Sequence, residues 1–205
     1  MKRGSFILAG GMILKKDQIL LVLTENWNDW EASYAIAVAN SFTDYKVQTV
    51  AIDKMDKVSM GGIRARVDLT MNTFNNFTDL AMVILPGGLS WMEKDYHEIA
   101  YFLKKASKQE VPIAAICGAT EFLCKQGFLN NINHTGDSLE QFQTIKGYTG
   151  EEHYVQAQVV VDQGFITANE TAAVAFAYEI FKILAVDSEE EMAEWFDNFI
   201  HGAIR

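Results

Sequence analysis

Three short, almost unbroken apolar runs constrain the fold of this chain more than any other feature: Gln18-Ile-Leu-Leu-Val-Leu-Thr24, Ala81-Met-Val-Ile-Leu85 and Val111-Pro-Ile-Ala-Ala-Ile116. Successive side chains of a strand point to opposite faces, so a strand with one wet face alternates apolar with polar residues. A run that is apolar throughout and too short for a core helix needs cover on both faces, as in a parallel sheet packed between helices. Pro112 fits at the start of its strand, where no ladder donor is needed. Between and after these runs the pattern turns helical. Residues 31–40 are small and apolar on a helical period, and Ile99, Phe102 and Leu103 share one side of another helix. Helices are also expected over 118–126, over 170–185 behind an Asn169 cap, and after Ser188, where Glu189, Glu190 and Glu191 sit at the positive dipole end. Val47–Ile52 reads as a further strand. A small hairpin is expected within 58–70, and a late one from Val155–Val161 to Gly164–Thr167 around Asp162-Gln163. This alternation predicts an α/β fold: a mostly parallel central sheet, helices on both faces and right-handed crossovers. Ligand chemistry in such sheets lies outside the carboxyl ends of the strands, where strand order reverses.

The 205 residues contain two prolines, so no Pro-rich linker divides them, and residues 17–205 are read as one domain. Lys2 and Arg3 precede an apolar stretch, Phe6–Leu14, that lacks a clear cleavage site. Residues 1–16 are therefore read as a poorly ordered N-terminal extension. No run reaches the ~20 apolar residues of a membrane span. Seventeen basic against 27 acidic side chains give a formal charge of −10. Such a surface repels phosphate backbones and anionic lipid, so nucleic acid and membrane are not expected partners. Cys117 and Cys124 stand one helix segment apart, roughly 10 Å at 1.5 Å per residue. That is beyond disulfide reach, and two free thiols suit a reducing cytoplasm.

The strand-end loops lack the dinucleotide and P-loop glycine patterns, and no Cys-x-x-Cys or His-Glu-x-x-His offers a zinc site. No metal or organic cofactor is expected. What stands out is Ala114-Ala-Ile-Cys117-Gly-Ala119, where a cysteine meets the junction of a buried strand and a helix. This is the cysteine form of a nucleophile elbow, whose sharp turn requires small neighbours. Amides at the helix N-terminus favour the thiolate. The plainer alternative is a small buried hydrophobe, which is the reading for Cys124. In Leu85-Pro-Gly-Gly88 the Gly88 amide is a candidate to converge with that of Gly118 on an oxyanion. Trp91 is a candidate pocket wall or a staple for its own helix. Asn28-Asp-Trp-Glu31 has capping-box spacing, yet Glu31, one turn past a central strand, is also the candidate proton partner of Cys117, ahead of Glu25. His97, His153 and His201 read as solvated. His134 is the loop histidine placed to fold back over the cysteine, with Asp137 and Glu140 read as caps of the following helix.

Together these residues resemble the ThiJ/PfpI superfamily, which includes the parkinsonism-linked deglycase, intracellular protease PfpI and glyoxalase-like enzymes. The resemblance is strongest to its bacterial YdeA-like, amidotransferase-like branch. Its carriers are Asn28-Asp-Trp-Glu31, Ser59-Met-Gly-Gly62, Leu85-Pro-Gly-Gly88, Ala114-Ala-Ile-Cys117-Gly-Ala119 and Val159-Val-Val-Asp-Gln-Gly-Phe-Ile-Thr167. It implies a flavodoxin-like three-layer sandwich, a homodimer, Cys117 as nucleophile, Glu31 as its carboxyl partner, and Gly88 and Gly118 at oxyanion-binding positions. Protease-like members carry histidine directly after the cysteine, where this chain has Gly118. Glutaminase members place a late His-x-Glu, which neither His153 nor His201 provides. The leading expectation is a cysteine-dependent enzyme acting on small reactive carbonyls or related metabolites. Two others stand beside it: a non-catalytic redox or stress sensor using an oxidisable Cys117, and a peptidase or amide hydrolase.

Overall fold

A computed structural model describes residues 16–203. The chain runs β1 (Gln18–Val22), α1 (Asp29–Phe42), β2 (Lys46–Ala51), β3 (Lys57–Val58), β4 (Arg64–Ala65), β5 (Leu69–Thr70), β6 (Leu80–Leu85), α2 (Ser90–Glu93), α3 (His97–Lys108), β7 (Ile113–Ile116), α4 (Gly118–Lys125), α5 (Leu139–Thr144), β8 (Val159–Asp162), β9 (Phe165–Ala168), α6 (Ala173–Leu184) and α7 (Glu189–His201). The expected N-terminal extension lies outside the described residues except for Lys16.

Seven strands form one sheet in the order β5-β2-β1-β6-β7-β9-β8, parallel except for the closing β8–β9 pair. Each apolar run supplies two layers at once. Leu20 and Val22 of β1 pack with Ile99, Phe102 and Leu103 of α3 and Phe122 of α4. Ile19 and Leu21 pack with Ala35 and Val38 of α1 and Phe176 and Ile180 of α6. In β7 the division is Ile113 and Ala115 against Ala114 and Ile116. Full burial of one such Leu or Ile is worth about 1.5–3 kcal/mol, so a polar residue in these strands is costly whichever way it points. The result is the flavodoxin-like three-layer α/β sandwich, with the strand order reversing between β1 and β6.

Local differences from the sequence reading have local causes. The β8–β9 turn is Gln163-Gly164, not Asp162-Gln163, because both central residues have positive φ (43° and 82°) and glycine suits the second place. Asp162 instead pairs with Phe165. The Asn169 carboxamide accepts from the Thr171 amide at 3.0 Å, closing a turn ahead of α6 rather than capping it. Ser188 does cap α7, accepting from the Glu191 amide at 3.2 Å. The expected small hairpin is β3–β4, outside the main sheet. Asp29 anchors it, accepting from Ser59 Oγ and from the Gly61 amide. Trp27 bridges this hairpin and the glycine turn, pairing with both Ser59 and Gly88. That tie fixes the loops after β1 and β6 against one another.

Candidate active site at the ends of β1, β6 and β7

Cys117 ends β7 with φ 55° and ψ −133°, a left-handed conformation that costs a non-glycine residue about 1–3 kcal/mol. Its surroundings hold it there. The Cys117 amide donates to Ala168 O at 2.9 Å, and Cys117 O accepts from the Thr120 amide and hydroxyl at 2.8 and 2.7 Å. A Cβ on Gly118 would lie 2.9 Å from Gly88 O and 3.7 Å from Gly88 N, so the small residue after the cysteine is required by a facing backbone. Both cysteines are free thiols, Cys124 buried and Cys117 half-buried.

Glu31, from the first turn of α1, is 0% exposed. It does not close a capping box: Asn28 makes no side-chain cap bond. The carboxyl instead reaches across the crevice, accepting from the Gly87 amide and from Asn28 Nδ2, both at 2.6 Å. Asn28 Nδ2 is also 3.8 Å from the Cys117 sulfur. Gly87 is the residue that lets acid and thiol meet. A Cβ there would stand 2.7 Å from Glu31 Oε2, 2.8 Å from Cys117 Cβ and 3.1 Å from Cys117 Sγ. In sequence Gly87 is only half of a turn dipeptide, and nothing in its spacing marks it as a site residue.

Asp137, expected as a helix cap, leaves that role to Ser138, which caps α5 by accepting from the Gln141 amide. Asp137 faces Cys117 instead, with a carboxylate oxygen within 4.8 Å of the sulfur, and accepts from the Glu170 amide at 2.7 Å. Cys117, Asp137 and Glu170 bring potential ligand atoms within 4.8 Å of one another. A soft sulfur with two carboxylates and no imidazole is an ill-matched metal set.

Electrostatics invert one expectation. Burial pushes the Cys117 thiol far above its ordinary range, and the Glu31 and Asp137 carboxylates add to the effect. The Gly118 amide at the start of α4 works the other way and is outweighed. The helix terminus therefore does not yield a standing thiolate. Burial likewise raises Glu31 to about 7, against the lowering effect of its bonds from Asn28, Gly87 and Cys117. A neutral thiol beside a carboxyl poised near neutrality can move one proton between them.

The model of the DJ-1/PfpI family matches residues 17–183. The chain belongs to that family. A Bacillus subtilis protein named "Uncharacterized protease YdeA" is 35% identical over 174 residues, covering 84% of this chain and 86% of that one. The solved DJ-1 superfamily protein Atu0886 of Agrobacterium tumefaciens superposes with TM-score 0.82 at 31% identity, covering 89% of this chain and 96% of that one. A thiJ/pfpI family protein of Bacillus anthracis gives TM-score 0.86 at 29% identity, with 93% of each chain covered.

Within this DJ-1/PfpI fold the remaining candidates separate. Trp91 is buried, donates from Nε1 to Pro86 O at 2.9 Å and packs on Tyr96 and Phe122, with Cδ1 3.7 Å from where a Gly118 Cβ would stand. It is a wedge behind the elbow rather than an open pocket wall. His134 is not brought to the thiol. Its Nδ1 donates to Ile132 O and its Nε2 meets the Tyr148 hydroxyl, both at 2.8 Å. The ring stacks on Phe142, and burial lowers its pKa, so it is held neutral with no nitrogen left for Cys117. The imidazole is thus structural. His134→Ala is expected to cost about 2–4 kcal/mol of stability from lost packing and hydrogen bonds. Tyr148→Phe, which removes only the Nε2 partner, is expected to cost about 1–3 kcal/mol. Both variants, assayed folded, should leave the rate at which Cys117 reacts with a small thiol reagent within about threefold of the parent. Urea unfolding and initial rates measure the two effects, and a hundredfold loss of rate in folded Tyr148→Phe would restore His134 to the machinery.

Proposed function

We propose that this protein is a cysteine-dependent enzyme acting on small reactive carbonyl compounds. Cys117 is its nucleophile and Glu31 its proton carrier. One observation supports the reading above the rest: a fully buried carboxyl, raised by burial to about 7, lies against a thiol that has no imidazole partner among the described residues. As sulfur bonds to an aldehyde carbon, the thiol proton passes to Glu31 carboxylate and the carbonyl electron pair moves onto oxygen. The Gly118 and Gly88 amides are assigned to that oxyanion. Return of the proton to oxygen gives a hemithioacetal. For a 2-oxo aldehyde, the proton on the former aldehyde carbon moves to the ketone carbon and the hemithioacetal hydroxyl proton to the ketone oxygen, which oxidises the first carbon to a thioester and reduces the second to a carbinol. Water then cleaves the acyl–sulfur bond, releasing a 2-hydroxy acid and returning the Cys117 thiol, and no outside oxidant or cofactor is consumed.

Purified protein is expected to consume methylglyoxal in many-fold molar excess and to form lactate, and Cys117→Ser is expected to abolish this. Equal turnover by both proteins defeats the reading. Peptide hydrolysis, which the name of the Bacillus subtilis relative suggests, has less support, because expelling an amine calls for a proton donor such as imidazole beside the sulfur. Among the described residues no helix is long and apolar enough to cross a membrane. A cytoplasmic homodimer acting on a small molecule completes the proposal.

A further inference from the structure

The walls around Cys117 carry charge of a single sign. Glu31 and Asp137 both act on the thiol, Glu170 joins Asp137 at the mouth, and half-buried Glu121 lies close enough to Asp137 to feel its charge. Among the described residues no lysine or arginine pairs with any of these four; the cations pair elsewhere, Lys57 with Glu25 and Asp53, Lys125 with Asp95, Lys182 with Glu179. The hydrogen-bonding inventory leans the same way. The donors of the side chain and turn nearest Glu31 are committed, the Gly87 amide and Asn28 Nδ2 both to its carboxyl, and the Gly88 and Gly118 amides are assigned to the carbonyl oxygen. An acceptor is left over. Asn28 is 5% exposed, its amide nitrogen faces the sulfur at 3.8 Å, and its Oδ1 is buried without a donor among the described residues. A buried acceptor without a donor is costly, and in a binding crevice it is satisfied by an N–H or O–H of a ligand.

We propose that the Cys117 site selects carbonyl compounds bearing a positively charged, hydrogen-donating group, an ammonium or guanidinium, and rejects carbonyls bearing a carboxylate or phosphate. Asp137 and Glu170 meet the cation at the mouth. The same carboxylates repel an anion, which would lose its hydration beside like charge. The inference rests on Cys117 being the nucleophile toward carbonyls, but its test does not require turnover, so the two ideas fail separately.

The test is the rate at which the intact protein reacts with three methanethiosulfonates of similar size: cationic aminoethyl, neutral methyl and anionic sulfonatoethyl. In each, the thiolate sulfur forms a disulfide with the reagent and expels methanesulfinate, and mass spectrometry assigns the label to Cys117. Each rate is divided by that of a free small thiol with the same reagent, and the ratio of cation to anion then cancels the ionisation of Cys117 itself. With carboxylates this close and partly screened, the normalised ratio is expected to reach about tenfold or more in low salt and to shrink at high salt. Asp137→Asn keeps an oxygen to accept from the Glu170 amide, and Glu170→Gln alters an exposed side chain, so both should fold. Each should lower the ratio about threefold. A wild-type ratio within twofold of one, or a ratio that neither variant changes, overturns the proposal even if methylglyoxal is turned over.

Discussion

Gly87→Ala is expected to cut Cys117-dependent turnover by at least about a hundredfold while leaving most of the protein folded. The added methyl would sit 2.7 Å from Glu31 Oε2 and 2.8 Å from Cys117 Cβ, so both reacting groups must move away from where the backbone holds them. Displacements near 1 Å in a positioned pair cost about 10²-fold. Gly87 does not have positive φ, unlike Gly88 at 139°, so alanine is excluded here by neighbours and not by backbone conformation. Overpacking a site of this kind costs about 1–3 kcal/mol. The lower entropy of the unfolded chain returns about 0.4–1 kcal/mol, leaving a modest net loss. Urea unfolding with parallel rate measurements separates the two effects. Turnover within threefold of the parent, in a variant no less stable, would show that the close meeting of Glu31 and Cys117 is not what the chemistry uses.

Glu31→Gln should have a large effect of opposite sign on stability and on activity. With a folded pKa of about 7 against an ordinary 4.5, the folded protein holds a proton that the unfolded chain releases between these values. Stability therefore falls as pH rises through that window. Below about pH 4.5 the carboxyl is neutral in both states and costs nothing, whereas above about pH 7 the full penalty applies, of order 3 kcal/mol. An uncharged amide removes the penalty. Its oxygen can accept from the Gly87 amide and its nitrogen can donate to Asn28 Oδ1 once the Asn28 amide turns over, which satisfies an atom that has no donor in the parent. The variant should thus gain roughly 3 kcal/mol relative to the parent between pH 4.5 and pH 8, by urea unfolding at each pH. Turnover should drop by about 10²–10³. The parent rate should climb through pH about 7 as Glu31 ionises, and the variant should lack that limb. Parallel stability curves for the two proteins would mean that Glu31 is not held as a buried, near-neutral acid.

Much of this molecule is legible along the chain because its causes are local. Runs such as Ile19–Val22 and Ala81–Leu85 are apolar on both sides, and only a sheet covered twice can satisfy them. The elbow at Cys117 is likewise written in its neighbours, since a strand turning at once into a helix against the Gly88 backbone leaves no room beyond glycine at position 118. Position in the chain also suggested Glu31, although its spacing from Asn28 served a capping box equally well. The structure distinguishes the two by direction, since the carboxyl points to Gly87 across the crevice and not back along its own helix.

Asp137 and His134 show what local pattern misses. They are three residues apart in one loop, and sequence offered the histidine as the partner of the thiol and the aspartate as a cap. In the fold the ring turns inward onto Ile132 and Tyr148, while the carboxylate turns toward the sulfur. Sequence alone determined the layers, the crevice and the residue at its sharpest bend, because burial and backbone sterics act between near neighbours. Tertiary structure alone decided which acids surround that residue and whether its proton stays on. Glu31, Gly87, Asp137 and Glu170 arrive from separate segments after β1, β6, α4 and β9, and both the field at the sulfur and its distance from water depend on where those segments meet.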